Sequence, residues 1–309
     1  MPTRYWLARN SSRKQTVSAV DGSRAHIASI RRPRVAIALG GGGARGIAHV
    51  LALEALDEMK IRPVAIAGTS MGAVVAGAYA AGIEGRAIRT HILRVLRNRS
   101  DVMSKLLKAR VGRFADLVLR GHGNPVLLDP EICLDLFWPA GMPGRFEDLA
   151  IKTTVVATNY LGRNEVAYDT GPLRPAVAGS MAIPGLFRPV IFGDEVLIDG
   201  GAVNPLPYDL LLGLADIVIA VDVTFGGRPP KRQTPSPFAS MFGAAQIMQG
   251  AITAQKIKLR APDILVRPKV EHFAVLDFFR ASQILRAADG SKEELKLMLG
   301  ERLKAHGIA

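Results

Sequence analysis

"RVAIALGGGGARGIAHV" occupies residues 34–50 and holds, in order, an apolar run, four consecutive glycines, an arginine and the start of a helical pattern. The run over 35–39 has the length and composition of a strand buried on both faces, as a parallel sheet requires. After it, Ile47, Val50, Leu51, Leu53, Leu56 and Met59 recur close to one face of a helix. Glycine loses more conformational freedom on folding than any other residue, so a run of it marks a sharp turn or a place where bare backbone is approached closely. A second junction of the same design follows, since "VAIAG" (64–68) is apolar and a helical stretch runs from about residue 71 to Gly82. Two strand–turn–helix units in succession predict an α/β fold with a mainly parallel central sheet.

Further along, "KTTVVATNY" (152–160) resumes the sheet, "LGRN" turns it into "EVAYD", and "RPVIFGDEVLIDGG" (188–201) reads as a hairpin about Gly193 and Asp194. "DIVIAVDV" (216–223) is another buried strand. A Pro/Gly/Ser-rich loop over about 225–237 then leads to a helical part, 238–309, that contains one more short strand in "DILVRP". Residues 83–145 read as helical, basic and irregular. With no internal repeat, the expected organisation is one domain, 34–309, behind a basic, disordered tail, 1–33.

The second junction reads Gly68-Thr69-Ser70-Met71-Gly72. G-x-S-x-G between a strand and a helix is the nucleophile elbow: the flanking glycines allow a tight turn that presents the serine hydroxyl beside a helix N-terminus. An N-cap serine is the plainer alternative. A serine nucleophile needs donors for the charge that develops on the carbonyl oxygen, and the amides of Gly41, Gly42 and Gly43 at the neighbouring turn are candidates. Arg45 would add fixed charge or anchor the loop. Gly41-x-Gly43-x-x-Gly46 is also a formal dinucleotide-binding pattern, but that site needs an acidic residue about 20 positions on, and "IRPVAIAGTS" (61–70) has none. A P-loop fails too, because no Gly-Lys-Ser/Thr follows.

Taken in order, "GGGARG" (41–46), "GTSMG" (68–72) and "DGG" (199–201) resemble the three signature blocks of the patatin-like phospholipases. "SMAIPGLFRPV" (180–190) and "NPLP" (204–207) resemble further blocks of that family's bacterial branch. The resemblance covers about 34–225. It implies a three-layer α/β/α fold and a serine lipid acyl hydrolase that needs no metal and no cofactor. Ser70 would attack an ester carbonyl and Asp199 would act as general base. By its own residues Asp199 ends an apolar strand before Gly200 and Gly201, which suits either a base open to close approach or an ordinary Asp-Gly turn; the resemblance favours the base.

A Ser-His-Asp triad would need one of His26, His49, His91, His122, His272 and His306, and none stands in an obvious motif; His49, on the helix after the glycine loop, reads as packed or solvated. No histidines or cysteines recur at metal-ligand spacing. Cys133 is the single cysteine, so no internal disulfide can form, and it reads as a buried thiol.

Composition bounds the remaining classes. The chain is 49% hydrophobic but only 6% aromatic, with a net charge of +13. Two segments carry that charge: 1–34 has eight basic residues against Asp21, and 86–120 has ten against Asp101 and Asp116. Such segments attract anionic lipid or nucleic acid, or are solvated. Together with the family resemblance they point to a lipid ester substrate and peripheral contact with an anionic membrane, with no nucleic-acid partner. Residues 100–120 alternate apolar and basic side chains as an interfacial lid would, or as a surface helix pair would. No stretch resembles a secretory signal, and the apolar helix over 71–82 is short of the ~20 residues that span a bilayer; a cytoplasmic location is expected. Two other functions remain open, a non-catalytic lipid-binding protein on this scaffold and, less favoured, a dinucleotide-dependent oxidoreductase.

Overall fold

The computed structural model describes residues 32–111, 127–224, 226, 234 and 236–307. Arg32–Ala309 form one contact unit. Residues 1–31 of the expected tail, and residues 112–126, which include the end of the basic segment 86–120, lie outside the described residues.

The strands are β1 (Val35–Leu39), β2 (Ala65–Thr69), β3 (Arg110–Val111), β4 (Leu127–Leu128), β5 (Lys152–Asn159), β6 (Asn164–Tyr168), β7 (Val190–Phe192), β8 (Glu195–Asp199), β9 (Ile217–Val221) and β10 (Ile264–Val266). The helices are α1 (His49–Glu58), α2 (Met71–Ala80), α3 (Gly85–Arg97), α4 (Arg99–Lys108), α5 (Pro130–Leu134), α6 (Leu173–Ser180), α7 (Pro237–Leu259), α8 (Ala281–Ala288) and α9 (Gly290–Ala305). The main sheet runs β10-β9-β1-β2-β5-β8-β7, with β6 also paired to β5. Its first five strands are parallel, while β6, β8 and β7 are antiparallel additions at one side. β3 and β4 form a separate two-stranded ladder.

Side chains alternate across a strand, and here the alternation separates large from small. Ile37, Leu39, Ile66, Ile217, Ile219 and Val221 face the larger core, where α1 and α2 pack. Ala36, Ala38, Ala65, Ala67 and Ala220 face the other way, towards Leu206, Tyr208 and Leu211 and towards Ile257 of α7. Alanine on that face lets the short 3-10 turn Tyr208–Leu211 lie close to the sheet. The result is an α/β/α arrangement with one thick and one thin outer layer.

α2 is buried along its whole length, which is why its sequence shows no polar face. α3 is the opposite case: Ile88, Ile92 and Leu96 are buried one turn apart, and Arg86, Arg94 and Arg97 are exposed. Among the described residues, no helix is long and apolar enough to cross a membrane.

Register places the site. Thr69 of β2 pairs with Val156 of β5, and Ala157, the next residue of β5, pairs with Asp199 of β8. Ser70, which follows Thr69, therefore comes level with Asp199 at the end of the sheet. Because β8 runs antiparallel, its carboxyl end meets the carboxyl end of β2.

Candidate active site

The chain turns from β2 into α2 at Ser70, whose φ of 54° costs a residue with a side chain about 1–3 kcal/mol. Gly72 makes the turn possible, since a Cβ there would lie 2.1 Å from the Leu39 carbonyl oxygen. The strained residue is held from three sides. Its carbonyl accepts the amides of Ala73 (2.9 Å) and Val74 (3.1 Å). Its own amide donates to Ser180 Oγ at 2.8 Å, and Ser180 Oγ donates in turn to the Val156 carbonyl at 2.5 Å. The preceding Thr69 donates its hydroxyl to the Asn204 carbonyl at 2.8 Å.

Ser70 Oγ donates to Asp199 Oδ2 at 2.7 Å, and Asp199 Oδ1 accepts the Gly201 amide at 2.7 Å. Both side chains are buried. Burial pushes the Asp199 carboxyl up to about 6, against the opposing effect of the hydrogen bonds from Ser70 and Gly201. Gly200 packs tightly behind it, where a Cβ would meet the Val156 carbonyl oxygen at 2.2 Å.

The glycine run lies beside Ser70, and the structure narrows its expected role. The Gly41 amide, expected among the oxyanion donors, donates to the Pro205 carbonyl at 2.9 Å. That amide is thus already engaged, whereas those of Gly42 and Gly43 have no backbone partner among the described residues. Gly43 has φ 56°, and a Cβ there would fall 2.4 Å from the Val275 carbonyl oxygen. Gly46 and Gly68 sit against the elbow helix, the first over Met71 and the second over Ala73. Arg45 is buried rather than projecting: its Nη2 donates to Gln246 Oε1 of α7. Burial lowers its pKa, and Asp222 acts in the opposite direction.

Two cavities meet at Ser70. The outer one, about 330 Å³, is lined by Gly42, Gly43, Arg45, Asp199 and, from α7, Gln246 and Gln249. The inner one, about 210 Å³, is apolar, with Val102 and Leu106 of α4, Cys133, Phe137, Met181 and Phe187 on its walls. Ser70, Gly43, Ile183 and Val275 border both. Cys133 is buried, and burial raises its thiol to about 12, so it acts as wall rather than as nucleophile.

No histidine lines either cavity among the described residues; His49 is wholly buried and its Nε2 lies 2.7 Å from the Gly40 carbonyl oxygen. His26 and His122 lie outside the described residues. Among the described residues no group of three or more His, Cys, Asp or Glu could hold a metal ion. Ser180, Asn204 and Pro205 were visible in sequence only as members of blocks without a role. Gln246 carried no sequence signal at all.

An α/β/α sheet with a strained serine at a strand-to-helix elbow, bonded to a buried aspartate and faced by a glycine loop, defines the class of protein. The chain belongs to the patatin-like phospholipase family, whose sequence model matches residues 37–212, more than half of its length. An uncharacterized NTE family protein of Mycobacterium tuberculosis is 37% identical over 201 residues, 65% of this chain and 52% of that protein. Lysophospholipase NTE1 of Candida glabrata is 27% identical over 291 residues, 86% of this chain and 16% of that protein. The chain spans about half the length of its mycobacterial relatives. Among solved structures it is similar to human GIVD cytosolic phospholipase A2 bound to methyl gamma-linolenyl fluorophosphonate, with 13% identity, a TM-score of 0.47 and coverage of 90% and 60% of the two chains. VipD from Legionella pneumophila gives 13% identity and a TM-score of 0.46, covering 89% and 67%.

Proposed function

We propose that this chain hydrolyses ester-linked acyl chains of lipids, with Ser70 as nucleophile and Asp199 as the single general base. The observation that carries this is the Ser70 Oγ to Asp199 Oδ2 hydrogen bond at the point where an apolar chamber opens into a wider, more polar cleft. A carboxylate near pH 6 is basic enough to take a proton and stays ionised at neutral pH.

In this reading the acyl chain enters the apolar chamber and the alcohol part of the lipid occupies the outer cleft. Asp199 takes the hydroxyl proton as Ser70 Oγ bonds to the carbonyl carbon, and the negative charge moves to the carbonyl oxygen. The amides of Gly42 and Gly43 donate to that oxygen, as preorganised donors do in other acyl transfers. Collapse of the tetrahedral adduct breaks the ester bond, and protonated Asp199 gives its proton to the departing alkoxide. Water then attacks the acyl-serine with Asp199 again taking a proton. Release of the fatty acid returns that proton to Ser70 Oγ.

The test is release of acid from a short-chain nitrophenyl ester by the wild-type protein, blocked by a serine-directed fluorophosphonate. Ser70→Ala should lose several orders of magnitude in rate while keeping its fold, because one hydroxyl is removed from a turn whose geometry the glycines set. Unchanged turnover in folded Ser70→Ala would reject the assignment.

A further inference from the structure

The mechanism above gives no role to His49, a wholly buried imidazole at the start of α1. Its Nε2 lies 2.7 Å from the Gly40 carbonyl oxygen, which can only accept, so Nε2 carries the proton. Nδ1 is then a bare acceptor, buried and without a protein partner among the described residues. An unmet buried acceptor is destabilising, a penalty an aliphatic side chain here would avoid. Burial lowers the imidazole to about 4, so the ring is neutral and its tautomer is set by Gly40.

The bond to Gly40 completes a clamp. The peptide unit between Gly40 and Gly41 has its carbonyl held by His49 and its N–H held by the Pro205 carbonyl at 2.9 Å. A peptide is planar, so fixing both polar atoms fixes its orientation. That matters in a four-glycine loop, where side chains restrict nothing. The next amides along the chain belong to Gly42 and Gly43, which border the cleft beside Ser70. The Gly40 oxygen also packs onto the elbow, since a Cβ on Gly72 would lie 2.6 Å from it.

We propose that His49 is a positioning residue that locks the Gly40–Gly41 peptide and thereby aims the Gly42 and Gly43 amides at the carbonyl attacked by Ser70. This rests on the acyl-hydrolase reading of the site, and it gives a purpose to "NPLP", whose Pro205 is the other jaw of the clamp.

Two substitutions and one spectrum test it. His49→Phe keeps a ring but removes the donor, and should lower kcat on a soluble nitrophenyl ester by about 10–100-fold, somewhat less than outright loss of an oxyanion donor, with KM within about twofold. His49→Gln can place an N–H near the Nε2 position and should recover most of that loss, which no replacement of a proton-shuttling base would do. Wild-type kcat in His49→Phe, or His49→Gln as impaired as His49→Phe, would overturn the proposal. Nitrogen-15 NMR of the wild-type protein should show His49 neutral and protonated at Nε2 at pH 6; the Nδ1–H tautomer or the imidazolium would overturn it even if His49→Phe fails to fold. Amide exchange at Gly42 and Gly43 should be faster in His49→Phe. Unchanged exchange would sink the clamp, whereas absence of esterase activity in the wild type would sink the functional reading on which it rests.

Discussion

Ser180 Oγ accepts the backbone N–H of Ser70 at 2.8 Å and donates its own O–H to the Val156 carbonyl, so one hydroxyl ties the elbow to the neighbouring strand. A strained backbone persists only where its surroundings over-determine it. Ser180→Ala leaves the Ser70 amide and the Val156 carbonyl unmet in the interior, a loss of about 1–3 kcal/mol. We expect a lower melting temperature and a fall in kcat. Ser180→Thr, which keeps the hydroxyl, should lose less of both. Equal denaturation midpoints for wild type and Ser180→Ala would show that the tie is dispensable.

Much of this was legible in the sequence because each feature was local. The apolar run over 35–39, the helix from Met71 and the Gly193–Asp194 hairpin lie where short-range pattern puts them. Gly68, Ser70 and Gly72 announce their turn through spacing alone. What was not legible depends on register and side-chain reach. That Gly41 is spent on Pro205 follows from two loops meeting 164 positions apart along the chain. The apolar chamber is assembled from six separate segments, among them α4, α5 and the loop bearing Val275, and no single one of them carries its signature. The sequence marks 86–120 as basic, yet it is the fold that places Val102 and Leu106 of α4 over that chamber.

Asp199 links stability to function through pH. Burial raises it from 3.8 to about 6, so between those values the folded protein holds a proton that the unfolded chain has released. The stability from this group is therefore present at low pH and is lost as pH rises through about 6, which leaves the ionised, more basic form at neutral pH. Activity runs the other way. On a soluble ester kcat/KM should fall about tenfold per pH unit below about 6 and level off above it. Asp199→Asn should abolish turnover while raising stability at pH 8 by on the order of 1–3 kcal/mol, since it removes a buried charge but keeps an acceptor for Gly201. A flat pH profile between 4.5 and 7 would contradict this basis for catalysis.

The apolar chamber should read acyl length. Each methylene that leaves water contributes about 0.8 kcal/mol, or roughly fourfold in kcat/KM, until the chamber is full. Leu106 of α4 lines it and is only partly buried, so a larger ring there should fill space with little cost to the core. Leu106→Trp should leave hydrolysis of an acetyl ester near wild type and reduce that of an octanoyl ester about tenfold or more. If both esters were slowed alike, the acyl chain would have to lie elsewhere.

The strain at Ser70 gives a test that does not depend on any substrate. Ala and Gly both remove the hydroxyl, and both leave Asp199 without its partner at Oδ2. They differ in backbone: at φ 54° alanine keeps the strain, whereas glycine adopts that conformation at little steric cost. Glycine also gives the unfolded chain more freedom, which offsets part of the gain. Ser70→Gly should still unfold at higher denaturant than Ser70→Ala, by about 1 kcal/mol, the balance of a strain of roughly 1–3 and an entropic cost of about 0.4–1. Both variants should be inactive. Should Ser70→Ala prove the more stable of the two, the elbow would be relaxed, and the cost of presenting the hydroxyl at this turn would have to lie in the burial of Asp199 instead.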